Sequence, residues 1–280
     1  MSYNRSKSLK EQLLYFEKME DKRVQVLVLD NKSSDDSLKV LEMFRDRIPN
    51  YSYLINEKNI GCDGSIWKSL DHVLGQYVLF LGDDYYNADS IRYVVDSLDY
   101  YKPSILHVSN AVSRQRLVKQ SLTKKQVAVL ISNQLSEYMF MSSNFYQTSL
   151  IKEVVGKVSF EYSTTLFFSI LCLSQGALLL VNERIISQDF KDITWSKNTN
   201  NVWFGSIPMI FDYFMNNGYK KSNINIMKNR NNGYFLFCSL KKIKSTLKYL
   251  KEQKRLHYAI NIPSIWYLFL FSLKKLFRKI

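Results

Sequence analysis

Apolar positions recur along this chain at two spacings, and their succession predicts strands alternating with helices. Leu9, Leu13, Leu14, Phe16 and Met19 keep helical spacing after a polar start, with Ser6 or Ser8 as the expected cap. Val24 to Leu29 is a short apolar run that ends in Asp30 and reads as a strand. The polar turn Asn31 to Ser37 leads into a second helix through Leu38, Val40, Leu41, Phe44 and Ile48, which must stop near Pro49. Tyr51 to Ile55 is a further strand, and Ile66, Leu70, Val73 and Leu74 mark a helix stopped by Gly75. Tyr77 to Leu81 has the length and content of a buried strand. Ile91, Val94, Val95 and Leu98 predict a helix, Ile105 to Val108 a strand, Tyr162 to Leu173 an apolar helix and Ala177 to Val181 a strand. This order predicts an α/β fold of the doubly wound kind, with a mostly parallel sheet.

The pattern is weaker elsewhere. Residues 111 to 135 are polar and basic, and fit either a loop near an anionic ligand or a solvated surface helix. The expected division is a main domain over 1–215 and a basic helical region over 216–280. Near the end, 262–280 reads as an amphipathic helix: Trp266, Phe269 and Leu270 lie on one face, and Lys274, Lys275 and Arg278 supply a cationic edge. So basic a terminus after so apolar a face suits a membrane interface, with docking on the protein's own core as the alternative.

Composition sharpens this picture through charge. The 280 residues carry a formal net charge of +14, which calls for an anionic partner: nucleic acid, a phosphate-rich substrate or an anionic membrane surface. Nucleic acid is disfavoured, since no recognisable reading motif is present. Cys62, Cys172 and Cys238 lie far apart, as do the histidines, so they read as free thiols rather than zinc ligands. Met1 to Lys10 is polar, which argues against a secretory leader, and no apolar run reaches the roughly 18 residues of a spanning helix. The expected location is the cytoplasm, peripheral on the inner face of the membrane.

The candidate chemistry sits where strands end. Asp30, Asn59 and Asp83-Asp84 all follow predicted strands or lie in loops that can reach them, and should converge on one rim of the sheet. Two adjacent carboxylates after a buried strand fit a divalent metal holding a phosphorylated ligand, or a solvated turn. No Gly-x-Gly-x-x-Gly and no Walker lysine loop follows a strand, which disfavours dinucleotide oxidoreductases and P-loop enzymes.

The order of these motifs resembles the inverting glycosyltransferases of family 2, which have the GT-A fold. Ser2-Tyr3-Asn4-Arg5 is similar to the end of that family's first strand, Asp30-Asn31-Lys32-Ser33-Ser34-Asp35 to its Asp-Asn-x-Ser-x-Asp turn, Asn59-Ile60-Gly61 to its Asn-x-Gly loop, and Gly82-Asp83-Asp84 to its acidic metal motif. The Asn59 to Asp63 form and Gly-Asp-Asp look most like the abequosyltransferase-like branch, which acts on bacterial surface polysaccharide. The resemblance implies that Tyr3, Asn4 and Arg5 line the nucleotide pocket with Asn59 and Gly61, that Asp30 accepts from the base, and that Asp83 lies near the ribose or sugar. It implies that Asp84 ligates Mg2+ or Mn2+. The implied donor is a nucleotide-diphospho-sugar, and the implied acceptor a lipid-linked or growing surface glycan of O-antigen or capsule type.

The chain departs from the family at two places. The apolar strand expected before Ser2 is missing, which suggests a true start upstream of Met1 or a truncated product. Gly82 stands where many members have the first Asp. For the general base that inversion requires, Glu161 is the carboxylate in the family's place and Asp63 is in reserve, with Asp189 behind it. A non-catalytic, glycosyltransferase-like scaffold in a polysaccharide assembly complex is the alternative reading.

Overall fold

The computed structural model describes residues 1–82, 84–86, 88–109, 117–182, 186–187 and 201–228. They belong to two compact units. The first is built from Met1–Leu122, Glu137–Ser159 and Thr164–Asp192, the second from Thr123–Ser136, Phe160–Ser163 and Ile193–Ile280.

The first unit opens with α1 (Ser6–Met19), β1 (Val26–Asp30), α2 (Ser37–Met43), β2 (Tyr51–Ile55), α3 (Gly61–Ser69) and β3 (Tyr77–Leu79). It continues with β4 (Tyr85–Tyr86), α4 (Ala88–Tyr101), β5 (Ile105–Ser109) and β6 (Leu117–Ser121). The helix α5 (Lys124–Met139) starts in the second unit and ends in the first, and is broken at Gln134 (φ −130, ψ 30). Then come β7 (Asn144–Gln147), α6 (Thr148–Lys152), α7 (Thr164–Gln175), β8 (Ala177–Asn182) and β9 (Ile186–Ser187).

Among the described residues, one sheet has the order β3-β7-β5-β8-β6, and β1-β2 and β4-β9 form two-stranded pairs. The β1–β2 ladder is parallel, from Val26 opposite Tyr51 to Asp30 opposite Ile55, and β5–β8 is parallel too. The β3–β7, β5–β7, β6–β8 and β4–β9 ladders are antiparallel. The α/β class stands, with strand directions more mixed than the expected mostly parallel sheet. The difference comes from stretches whose patterns gave no strand signal: β7 follows a turn rich in polar residues, and β6 is an exposed Lys- and Gln-bearing edge.

Apolar spacing explains the packing. Ile91, Val94 and Leu98 of α4 bury against Leu106 and Val108 of β5, Phe145 of β7 and Leu179 and Val181 of β8. Leu9 and Leu13 of α1 pack with Val40 and Leu41 of α2 over Val26 and Val28 of β1. The helix α7 is buried almost throughout, and its Phe168 meets Trp67 edge-on with ring centroids 5.0 Å apart.

Some boundaries move for identifiable reasons. Helix α1 is capped by neither Ser6 nor Ser8; its first N–H, that of Ser6, donates to Asp35 Oδ2 at 2.9 Å. Helix α2 ends at Met43 and Ile48 is buried in the turns beyond it. Helix α3 begins at Gly61, five residues before the first apolar position of its pattern, because Gly61 has φ +75 and starts the helix from a left-handed turn. Strand β3 stops at Leu79, where its ladder with β7 ends at Phe145.

In the second unit, a π-helical stretch Asn201–Ser206 runs into α8 (Ile207–Asn216), which buries Ile207, Ile210, Phe211 and Phe214. Lys228 in the helix over 221–228 pairs with Asp212 at 2.5 Å. Lys124 donates to Gly218 O at 2.9 Å and lies 5.4 Å from the centre of the Tyr219 ring. Among the described residues no helix is long and apolar enough to cross a membrane.

Candidate functional site

The polar rim starts at the end of β1. Asp30 is buried, and its carboxylate accepts from Ser33 N at 2.8 Å and Ser33 Oγ at 2.5 Å. Ser33 Oγ accepts in turn from Asn4 N at 2.9 Å, and Asn4 Oδ1 accepts from Ser34 N at 2.8 Å. Asn4 holds φ +52, a left-handed conformation that Asn tolerates. These bonds lay the Tyr3-Asn4-Arg5 turn against the Asp30 turn. Beside them, Asp35 accepts from Ser37 Oγ (2.5 Å) and from the backbone N–H groups of Ser6 (2.9 Å) and Ser37 (3.0 Å). Burial pushes the Asp35 carboxyl up, but those hydrogen bonds outweigh it and hold the group at about 2, below its ordinary 3.8.

Asn31, also buried, is the hub of the next turn. Its Nδ2 donates to Gly61 O at 3.2 Å, and its Oδ1 accepts from Asn56 Nδ2 (2.8 Å), Ser65 Oγ (3.0 Å) and Ile60 N (3.3 Å). Asn59 closes its own turn by accepting from Gly61 N at 2.9 Å. The Asn59–Gly61 loop is therefore fixed to the end of β1 by one buried amide.

The acidic turn after β3 is held from two sides. Gln12 of α1 donates through Nε2 to Gly82 O, and to Asp84 O at 3.0 Å. Ser142 donates through Oγ to Asp84 Oδ2 at 2.6 Å, and accepts from Gly82 N at 3.3 Å. Tyr86 OH donates to Ser142 O; burial pushes this phenol well up, with the Asp84 charge adding to it, so the donor proton stays in place. Ser142 itself sits in a buried polar turn. Ser143 Oγ donates to Phe140 O (2.9 Å), Asn144 Nδ2 donates to the same carbonyl (2.8 Å), and His107 Nδ1 bonds Asn144 Oδ1 at 2.8 Å. A Cβ at Gly82 would lie 2.7 Å from the terminal methyl of Met141, so any side chain there has to displace that flexible end.

The two turns share a rim because the N-terminus joins them. Ser2 N donates to Leu29 O and Asn31 N to Ser2 O, both at 2.8 Å, while the Met1 ammonium lies 3.3 Å from Leu81 O. The donor chemistry of Asp84 fits a hard divalent cation that arrives with a diphosphate, since such ions are commonly held by one or two carboxylates plus phosphate oxygens. No pre-formed group of three or more acidic, His or Cys ligands occurs among the described residues.

The structure bonds the Asn4, Asp30–Asn31 and Asn59–Gly61 turns to one another, and the N-terminus ties them to the strand that leads to Asp84; Tyr3 is exposed and Arg5 stands at the start of α1. Asp63 is engaged at a helix start, its Oδ1 accepting from Thr164 N at 3.2 Å. Glu161 is exposed and belongs to the second unit. Asp83, Asp189, Trp266, Phe269, Leu270, Lys274, Lys275 and Arg278 lie outside the described residues. Sequence reasoning gave no role to Gln12, Asn31 or Ser142. Gln12 had a legible signal: it falls three residues after Leu9 and four before Phe16, an inward position of α1 that a polar residue occupies only with partners.

This frame of a strand-end acidic turn, an Asp–Asn turn and a glycine-started helix defines a class. A family model described as glycosyl transferase family 2 matches residues 1–166, more than half of the chain, and the chain belongs to that family. Among curated proteins, the poly(ribitol-phosphate) beta-N-acetylglucosaminyltransferase TarS of Staphylococcus aureus strain Mu50 is 27% identical over 157 residues, which cover 54% of this chain and 27% of TarS. TarS of strain MW2 matches to the same extent. The chain spans about a quarter of the length of these curated relatives. Among solved structures, S. aureus TarS 1–349 in complex with UDP-GlcNAc has a TM-score of 0.65 at 17% identity, covering 92% of this chain and 87% of that one. The mannosyltransferase PcManGT from Pyrobaculum calidifontis, in complex with GDP-Man and Mn2+, has a TM-score of 0.58 at 10% identity, covering 98% and 78%. These likenesses establish the GT-A fold.

Proposed function

We propose that this chain transfers a glycosyl group from a nucleotide-diphospho-sugar to a hydroxyl of a lipid-linked or growing cell-surface glycan, of the O-antigen or capsule type. The observation that carries this reading is the Asp84 turn, fixed by Gln12 and Ser142 at the same rim as the Asp30–Asn31 turn. The nucleotide-sugars bound by TarS and PcManGT support a donor of this class, and the Mn2+ of PcManGT supports a divalent cation.

In this reading Asp30 and the Asn4 turn receive the base and ribose, with Asp83 toward the sugar. Asp84 holds Mg2+ or Mn2+, which supplies positive charge where the diphosphate develops its negative charge. The acceptor oxygen attacks the anomeric carbon, the bond from that carbon to the diphosphate oxygen breaks, and the nucleoside diphosphate leaves. A carboxylate takes the hydroxyl proton, which makes a single displacement with inversion. Glu161 and Asp63 are the candidates for that base. Asp63 is committed through one oxygen to the start of α7, and Glu161 is exposed. The +14 charge and the 262–280 segment, with Trp266 and Arg278, suit an anionic membrane surface on which such acceptors are displayed.

The test is a thermal-shift titration of the full chain with UDP, dTDP, GDP and CDP, each with and without Mn2+, alongside Asp84→Ala. A ligand that binds only the native state raises the midpoint by mass action. The expected result is a Mn2+-dependent rise with one nucleotide that Asp84→Ala abolishes. A folded protein that responds to none of the four would replace the transferase by the non-catalytic scaffold.

A further inference from the structure

Strand β5 is buried from end to end, and between its apolar Leu106 and Val108 it carries His107, only 1% exposed. A buried imidazole costs free energy unless it is bonded, and an apolar side chain would fill the same place without that cost. The bond His107 makes runs from Nδ1 to Asn144 Oδ1 at 2.8 Å, across the antiparallel β5–β7 ladder in which the two residues are partners. Asn144 Nδ2 donates to Phe140 O (2.8 Å) and to Ser143 Oγ (3.1 Å), which leaves Oδ1 as the atom turned to the ring. Nδ1 therefore carries the proton, and neutral His107 is the Nδ1–H tautomer. Its Nε2 has no hydrogen-bond partner among the described residues and lies 3.7 Å from Glu137 Oε2. The ring stacks on Tyr138 with centroids 4.4 Å apart.

Asn144 in turn shapes the chain just before it. Phe140 O receives the Asn144 amide together with Ser143 Oγ (2.9 Å) and Ser143 N (3.4 Å), and these bonds wind the short 3₁₀ turn Met141–Ser143. That turn is seated against the acidic one at two points. Ser142 Oγ donates to Asp84 Oδ2 at 2.6 Å and accepts from Gly82 N, and the terminal methyl of Met141 fills the place a Gly82 side chain would take.

A carboxylate that binds a metal is oriented by the groups bonded to it, and those groups are held by others behind them. We infer that His107 is a positioning residue for Asp84. Its Nδ1 proton fixes the Asn144 amide, the amide fixes the Met141–Ser143 turn, and the turn holds one carboxylate oxygen of Asp84 in place for the cation. His107 acts only through these groups and has no part in the bond-breaking step. The inference rests on the reading of Asp84 as the cation ligand.

Two variants of the full chain separate this role from packing. His107→Asn keeps an N–H donor where Nδ1 stood and loses the ring. His107→Phe keeps a ring to stack on Tyr138 and loses the donor. Mn2+ is the probe, titrated in the presence of whichever of UDP, dTDP, GDP and CDP stabilises the parent. The readouts are the ligand-free thermal midpoint and the Mn2+ concentration giving half the nucleotide-dependent shift, with bound Mn2+ checked by loss of the free-ion EPR signal. His107→Phe should raise that concentration about tenfold, while His107→Asn stays within about twofold of the parent. A His107→Phe protein within about twofold of the parent overturns the inference, as does a His107→Asn protein displaced as far as His107→Phe. The parent supplies a test that needs no variant to fold: imidazole 15N shifts should show His107 as the Nδ1–H tautomer, and an Nε2–H form overturns the inference. A parent that binds no Mn2+ removes the Asp84 reading and this inference with it. A parent response that His107→Phe leaves unchanged removes the inference alone.

Discussion

Two parts of the first unit lie a few residues apart and are built in opposite ways. At the rim, polar groups are closely partnered: the Asn31 side chain makes four hydrogen bonds, and one Gln12 amide spans two carbonyls. Just below, residues of β1 and β3 line a mainly apolar cavity of about 540 Å³. The rim closes largely on itself, through short turns such as Asp30–Ser33 and Asn59–Gly61. The sheet below leaves a mainly apolar space between β1 and β3. A site can thus be locally well made while the layer that carries it is open.

The comparison can be broken most sharply in the core. Leu179 is fully buried in the closed part of the sheet, and Leu179→Ala should cost about 3–4 kcal/mol in denaturant unfolding. Leu79 borders the cavity and is only half-buried, so Leu79→Ala should cost about 1 kcal/mol. Equal losses would show that the region around the cavity is as tightly packed as the rest.

At the rim, Asn31→Ala strips the acceptor from Asn56, Ser65 and Ile60 and should lower stability by about 2–3 kcal/mol, read in the same unfolding experiment. Gln12→Ala and Ser142→Ala should each cost about 1 kcal/mol and raise the Mn2+ concentration needed for nucleotide stabilisation several-fold. A loss of stability with unchanged Mn2+ dependence would make these residues structural only. The smallest effect concerns pH. Asp35 is held at about 2 against an ordinary 3.8, so its contribution is present above about pH 4 and is lost as pH falls toward 2. In Asp35→Asn that part of the acid dependence should vanish, as followed by unfolding at stepped pH.

Much of this was legible in the chain because local rules produced it. The helical spacing of Ile91, Val94 and Leu98 and the apolar run from Val24 to Leu29 needed only periodicity. The Asp-Asn and Asn-x-Gly turns announced themselves by residue type, since both bond within two or three residues. What escaped depended on distance along the chain. Gln12 reaches Asp84 over 72 positions and Ser142 reaches it over 58, which no window captures. Strand β6 was hidden because its exposed Lys119 and Gln120 erase the apolar signal of an edge. Helix α3 was read from its first apolar residue, while its actual start is set by the backbone freedom of Gly61.

The interleaving of the two units bears on inheritance. Stretches 123–136 and 160–163 of the second unit lie between segments of the first, and α5 belongs to both. No single crossover in the gene can deliver one unit whole without fragments of the other. An exchange after Asp192 would carry 193–280 across and leave 123–136 and 160–163 behind with the first unit.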